Sequence, residues 1–146
     1  MRRIVASDDA SASSLVVSDG EAPTVYEFGT TRATQLWRLT AADVPVPSDI
    51  DTTGDVPFGV DLGHGESRWV CIEFGPGADV ARHASATVDL GYVVAGEITL
   101  VLDSDDVRLS AGDCLVQLGA HHGWRNDGAT PCRMLFHVVS TAPAAS

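Results

Sequence analysis

From Ser67 onward the chain is cut into short apolar runs too closely spaced for helices. Arg68 to Phe74, Val88 to Val94, Glu97 to Leu102, Asp106 to Leu109, Cys114 to Leu118 and Cys132 to Val139 are divided by Gly75-Pro76-Gly77, Ala95-Gly96-Glu97, Asp103-Ser104-Asp105 and Gly112-Asp113. β-Branched and aromatic residues suit a pleated, half-buried surface, while Gly, Pro and Asp supply the turns. Strand segments about eight to twelve residues apart, with no helical period, predict an antiparallel sandwich or barrel. No internal repeat or low-complexity block competes with that pattern.

Up to about Phe58 the chain is punctuated every few residues by Pro, Gly, Asp and Ser, with apolar pieces at Ser14 to Val17 and Gln35 to Leu39. Residues 1–60 are therefore expected to be an arm of extended strands that packs on the barrel or on a partner copy. Residues 61–141 are expected to form the barrel itself, and residues 142–146 to be a flexible tail. The segment from Asp43 to Asp55, with Pro45, Pro47 and several turn formers, is expected to loop over the surface as the most mobile part. At 146 residues one domain is expected, with about two-thirds of the chain's surface buried on folding.

Composition excludes several function classes. Twenty acidic against nine basic residues give a net charge of -11, a field that repels phosphate backbones and anionic lipid headgroups, so neither nucleic acid nor membrane is an expected partner. All nine basic residues are arginine, and without a lysine amine no Schiff base forms. Cys71, Cys114 and Cys132 are odd in number and lie in apolar runs, which reads as reduced thiols in a cytoplasmic setting. The N-terminal stretch turns acidic at Asp8-Asp9, so no signal peptide is expected there, and no run reaches membrane-spanning length.

One segment concentrates polar groups that can do chemistry. His83, Ser85, Thr87 and Asp89 alternate with Ala84, Ala86 and Val88, so on one strand the four polar side chains share a face. A polar row in an otherwise apolar barrel is expected to line a pocket. Further along, Gly119-Ala120-His121-His122-Gly123-Trp124-Arg125-Asn126 carries a second histidine of the same promise. His121 beside it should point the other way, and His64, between Gly63 and Gly65, is expected in an exposed loop.

The stretch Gly77 to Gly96 resembles the first motif of the cupin superfamily: G, five residues, H-x-H, three or four residues, E, six residues, G. Gly77, His83, Ser85, Asp89 and Gly96 hold its positions. Gly112, Gly119, His122 and Asn126 are similar to the second motif, with the interval before Gly119 one residue short and no proline in it. The sequence also resembles small bacterial and fungal cupins with H-x-T-x-T-x-D and G-x-x-H-x-W-x-N, Ser85 standing for threonine. The resemblance implies an all-β, jelly-roll barrel and a homodimer, the latter also favoured by the need to cover sheet edges.

The resemblance maps the superfamily's four metal ligands onto His83, Ser85, Asp89 and His122, with serine replacing the second histidine and aspartate the glutamate. Two chemistries remain open. His83, Asp89 and His122 suffice for a facial triad holding one divalent ion, whether iron, zinc, manganese or nickel, in an oxygenase. Without a cofactor, His83 and His122 are suited to proton transfer near neutral pH, with Asp89 in support. That is the logic of a dehydratase, decarboxylase or cyclase, and small cupins imply lyase or isomerase work on natural-product intermediates. A non-catalytic ligand-binding barrel is the third alternative.

Ser85, Thr87, Gln117, Trp124 and Arg133 are the expected substrate-binding residues, Arg133 because a guanidinium holds a carboxylate by two hydrogen bonds. Glu73 and His137 lie on strands whose register the sequence leaves open, and Tyr92, of opposite parity to Asp89, is expected to pack. Gly96 and Gly112 are read as turn glycines.

Overall fold

The computed structural model describes residues 2–8, 14–39, 58, 61–103 and 106–141. Among them lie twelve strands and no helix: β1 (Arg2–Asp8), β2 (Ser14–Glu21), β3 (Thr24–Phe28), β4 (Thr31–Leu39), β5 (Ser67–Phe74), β6 (Asp79–His83), β7 (Thr87–Ala95), β8 (Glu97–Val101), β9 (Asp106–Ser110), β10 (Cys114–Leu118), β11 (His122–Arg125) and β12 (Cys132–Ser140). Each of the six expected runs is a strand, within one residue at either end. The proline-rich segment 43–55 and the tail 142–146 lie outside the described residues.

Six strands form one sheet in the order β10-β7-β12-β5-β4-β3, and four form a second in the order β6-β11-β8-β9. β1 and β2 pair with each other as a separate ribbon, whereas β3 and β4 extend the six-stranded sheet of the same chain through β4 and β5. The two larger sheets enclose one core, an all-β jelly-roll barrel. Period-two alternation assigns its residues: on β12 Cys132, Met134 and Phe136 are buried while Arg133 and His137 are exposed.

The sheets meet through aromatic rings. Trp124 of β11 lies 5.7 Å from Phe74 of β5 and 5.8 Å from Phe136 of β12, centroid to centroid. Around them pack Ala33, Val70 and Val93 from the larger sheet and Ile98, Leu100 and Leu109 from the smaller. Gly91 makes room for this core, since a Cβ there would stand 2.9 Å from the Phe136 ring. Gly96 is a turn glycine as expected, with φ of 80°, a conformation that side chains disfavour.

Three expectations need correction. The row His83 to Asp89 is not one strand: β6 ends at His83 in the small sheet and β7 starts at Thr87 in the large one. The small residues between them form the corner. β11 and β6 were not foreseen, because one is four residues long with a central glycine and the other is mostly polar. Tyr92 has the expected parity but packs in no core; it is exposed on the outer face.

Asn126 closes the barrel end. Its side chain, 1% exposed, donates to the Phe74 carbonyl at 2.8 Å and the Thr130 carbonyl at 3.0 Å, and accepts from Gly128 N at 2.9 Å. Asn126→Ala leaves those groups without these partners and is expected to cost about 1–3 kcal/mol. The check is a lower urea midpoint with an unchanged denaturant slope.

Candidate functional site

β6 and β11 are antiparallel neighbours, and their register sets His83 directly opposite His122. Cross-strand partners present their side chains on one face, and the two imidazole rings lie 4.5 Å apart, tilted by 52°. His122 is buried and meets the Trp124 ring edge-on at 5.8 Å, whereas His83 is exposed.

Backbone carbonyls set the hydrogens on both rings. His122 Nδ1 lies 2.8 Å from the Ala120 carbonyl and His83 Nδ1 lies 3.0 Å from the Ala81 carbonyl. A carbonyl only accepts, so each neutral ring carries its hydrogen on Nδ1 and keeps a lone pair on Nε2. The Gln117 side-chain amide, from β10, abuts the imidazole of His122, within 2.7 Å of Nδ1 and 3.1 Å of Nε2. It is thus positioned to orient the ring rather than to line the cavity.

Across the corner, Ser85 and Thr87 hydroxyls are 2.7 Å apart, and Thr87 Oγ1 donates to Asp89 Oδ1 at 2.7 Å. Because the Thr87 proton is committed to the carboxylate, Ser85 donates to Thr87, and the chain runs from Ser85 through Thr87 to Asp89. Such a directed series of hydroxyls polarises towards its anionic end.

These groups share one cavity of about 180 Å³. His83, Ser85, Thr87, Asp89, His122 and Trp124 line it, together with apolar side chains that include Val70, Ile72 and Phe136. Arg133 does not reach it: on the outer face of the large sheet its Nη2 binds Glu73 Oε2 at 2.9 Å. His137 is also exposed there, and His121 turns outward, its Nδ1 lying 3.5 Å from Asp103. The arginine in the cavity is Arg68, which the sequence reading passed over as the flank of an apolar run. Its signal was parity, since Arg68 shares a face with Val70, Ile72 and Phe74.

Among the described residues no three His, Cys, Asp or Glu side chains gather closely enough to hold a metal ion. His83 and His122 face each other while the Asp89 carboxylate is held by Thr87, and a serine hydroxyl at Ser85 is a poor substitute for imidazole.

A double-sheet barrel whose cavity holds a small set of polar side chains among apolar ones is the architecture of a cupin, and the comparisons agree. The cupin domain family matches residues 70–138. The chain is 31% identical over 146 residues to phomopsin biosynthesis cluster protein C' of Diaporthe leptostromiformis, covering 92% of this chain and 77% of that protein. It is 39% identical over 72 residues to a cupin-domain-containing oxidoreductase of Aspergillus ruber, covering 47% of this chain but 36% of that protein. The Schizosaccharomyces pombe Cnp3 cupin domain superimposes with a TM-score of 0.59 over 95% of this chain and 87% of that one, at 11% identity, a likeness of fold. This protein belongs to the cupin superfamily.

Burial holds the His122 pKa below its ordinary value, and a charge on neighbouring His83 pushes it the same way, against the Ala120 hydrogen bond. The unfolded chain then binds a proton near pH 6.5 that the folded chain takes up only at lower pH. Stability consequently rises with pH through that window and is lost as pH falls below about 6.5. Urea midpoints at pH 7.5 and 5.5 test this: wild type is expected to lose more on acidification than His122→Gln.

Proposed function

We propose that this cupin is a small-molecule biosynthetic enzyme, a lyase or isomerase in which His83 and His122 exchange protons with a bound natural-product intermediate. The observation that carries this reading is the facing of two imidazoles, each with Nδ1 on a backbone carbonyl. Close rings resist double protonation, so one can act as acid while the other acts as base. The resemblance to a phomopsin cluster protein supports biosynthetic work.

Within that reading, the Nε2 lone pair of one ring takes a proton from carbon next to a substrate carbonyl. The other ring, carrying the pair's one proton on its Nε2, donates to the oxygen that gains charge. The chain from Ser85 through Thr87 to Asp89 leaves Ser85 Oγ free to accept a hydrogen bond and so to orient a substrate hydroxyl, while Trp124 and the apolar side chains exclude water. Dehydration, decarboxylation and cyclisation all begin from such a proton transfer.

The test incubates the protein in deuterium oxide with a panel of hydroxy-carbonyl acids and reads deuterium uptake or mass loss. His83→Gln and His122→Gln are each expected to lower the rate by about 10²–10⁴-fold while melting cooperatively. Full activity in both variants would sink the acid–base reading. A stoichiometric transition metal in protein purified without chelator, with activity that follows it, would favour the oxygenase alternative instead.

We also propose a homodimer built on the outer face of the large sheet, where Val116 and Leu118 of edge strand β10 are 65% and 74% exposed. Trp69, Leu90 and Tyr92 add exposed apolar surface on the same side, an arrangement that soluble monomers avoid. Light scattering is expected to give twice the chain mass for wild type and a monomer for Leu118→Glu; a monomeric wild type would refute it.

A further inference from the structure

Arg68 stands at an inward position of β5 on a face that continues with Val70, Ile72 and Phe74. It is 5% exposed, and its Nε and Nη2 are buried without a hydrogen-bond partner. The carboxylate beside it, Glu66, is taken by Arg38 Nη2 at 2.6 Å and by Gly63 N at 2.8 Å. Arg38 is the cross-strand partner of Arg68, so two guanidiniums face one acid. The Arg68 guanidinium lies 4.6 Å over the Phe58 ring, which stacks in turn on Tyr26 at 5.2 Å. Aromatic stacking holds its plane but satisfies none of its N–H groups.

Nε and Nη2 form one edge of the guanidinium, with two parallel N–H bonds that match the two oxygens of a carboxylate. A buried, unpaired cation is costly, and a ligand anion offsets that cost. The cavity's other anion is distant: across the sheet, Asp89 pairs with Val138 and Val138 with Arg68, two strand spacings or about 10 Å. A cavity of about 150 Å³ accepts a benzene ring, so 180 Å³ suits one ring and a small substituent.

We propose that the cavity binds a monocarboxylate of about one ring's size, gripped by the Nε and Nη2 edge of Arg68, with its reacting carbon turned towards His83 and His122. This rests on the acid–base reading for the reacting end but not for the grip. The carboxylate is a handle that remains on the product, so among the reactions above dehydration and cyclisation are favoured over loss of that group. A phosphate dianion is disfavoured, because one guanidinium would leave a net charge against Val70, Ile72 and Val138.

Benzoate, benzamide and phenyl phosphate are the probes, titrated into the full chain by calorimetry. Benzoate is expected to bind wild type at least tenfold tighter than benzamide or phenyl phosphate, and to bind Arg68→Met at least tenfold more weakly. Arg68→Lys should recover part of the loss. Arg68→Met should also melt higher than wild type without ligand, since a buried unpaired charge is removed. Equal affinity for benzoate and benzamide, unchanged benzoate binding in Arg68→Met, or a lower melting temperature in that variant each overturn the proposal. His122→Gln should still bind benzoate, which separates the two ideas: benzoate binding lost in Arg68→Met, with full activity in both histidine variants, ends the acid–base reading alone.

Discussion

The two sheets are held together by Trp124, and much of the rest follows from its burial. Its ring comes from the four-residue strand β11 and packs on Phe74 and Phe136 of the facing sheet. An indole in that place carries a large apolar area, enough to hold a short strand at the centre of its sheet. Once β11 is fixed, its neighbour in register brings His83 to His122. Asn126, directly after the strand, ties the following loop to the end of β5. Fold and site thus share one anchor, and the G-x-x-H-x-W-x-N pattern combines a site histidine with the two residues that hold its strand.

The cavity reflects a trade between packing and chemistry. An inner face filled by valine, isoleucine and phenylalanine would serve stability, yet the large sheet carries a row of Gln117, Asp89, Val138 and Arg68 across it. Asp89 is stabilised by the Thr87 hydroxyl. Arg68 has no such counterpart, and burial pushes its pKa down to about 10, so it stays charged at neutral pH. Groups held against their own solvation in this way concentrate where ligands bind.

Much of the barrel was legible because its strands alternate cleanly. Cys132, Met134 and Phe136 announce an inward face, and the glycines and aspartates between runs mark where strands end. β6 and β11 escaped detection because Asp79–His83 and His122–Arg125 are short and polar, and exist as strands only by pairing with each other and with β8. Their histidines were visible from motif spacing alone. Arg68 and Arg133 show the limit: both are arginines on apolar strands, yet one faces the cavity and the other pairs with Glu73 outside.

By itself the sequence determined the all-β class, the positions of six strands and the residue types of the polar row. Those depend on local composition and on a period of two, which a short window of each of those strands displays. Only the tertiary structure decided that the row turns a corner between sheets at Ala84 to Ala86, that His83 meets His122, and that Arg68 serves the cavity. The physical reason is that alternation says which residues share a face but not which face is inside. A one-residue slip exchanges the two, and only the packing of sheet against sheet chooses between them.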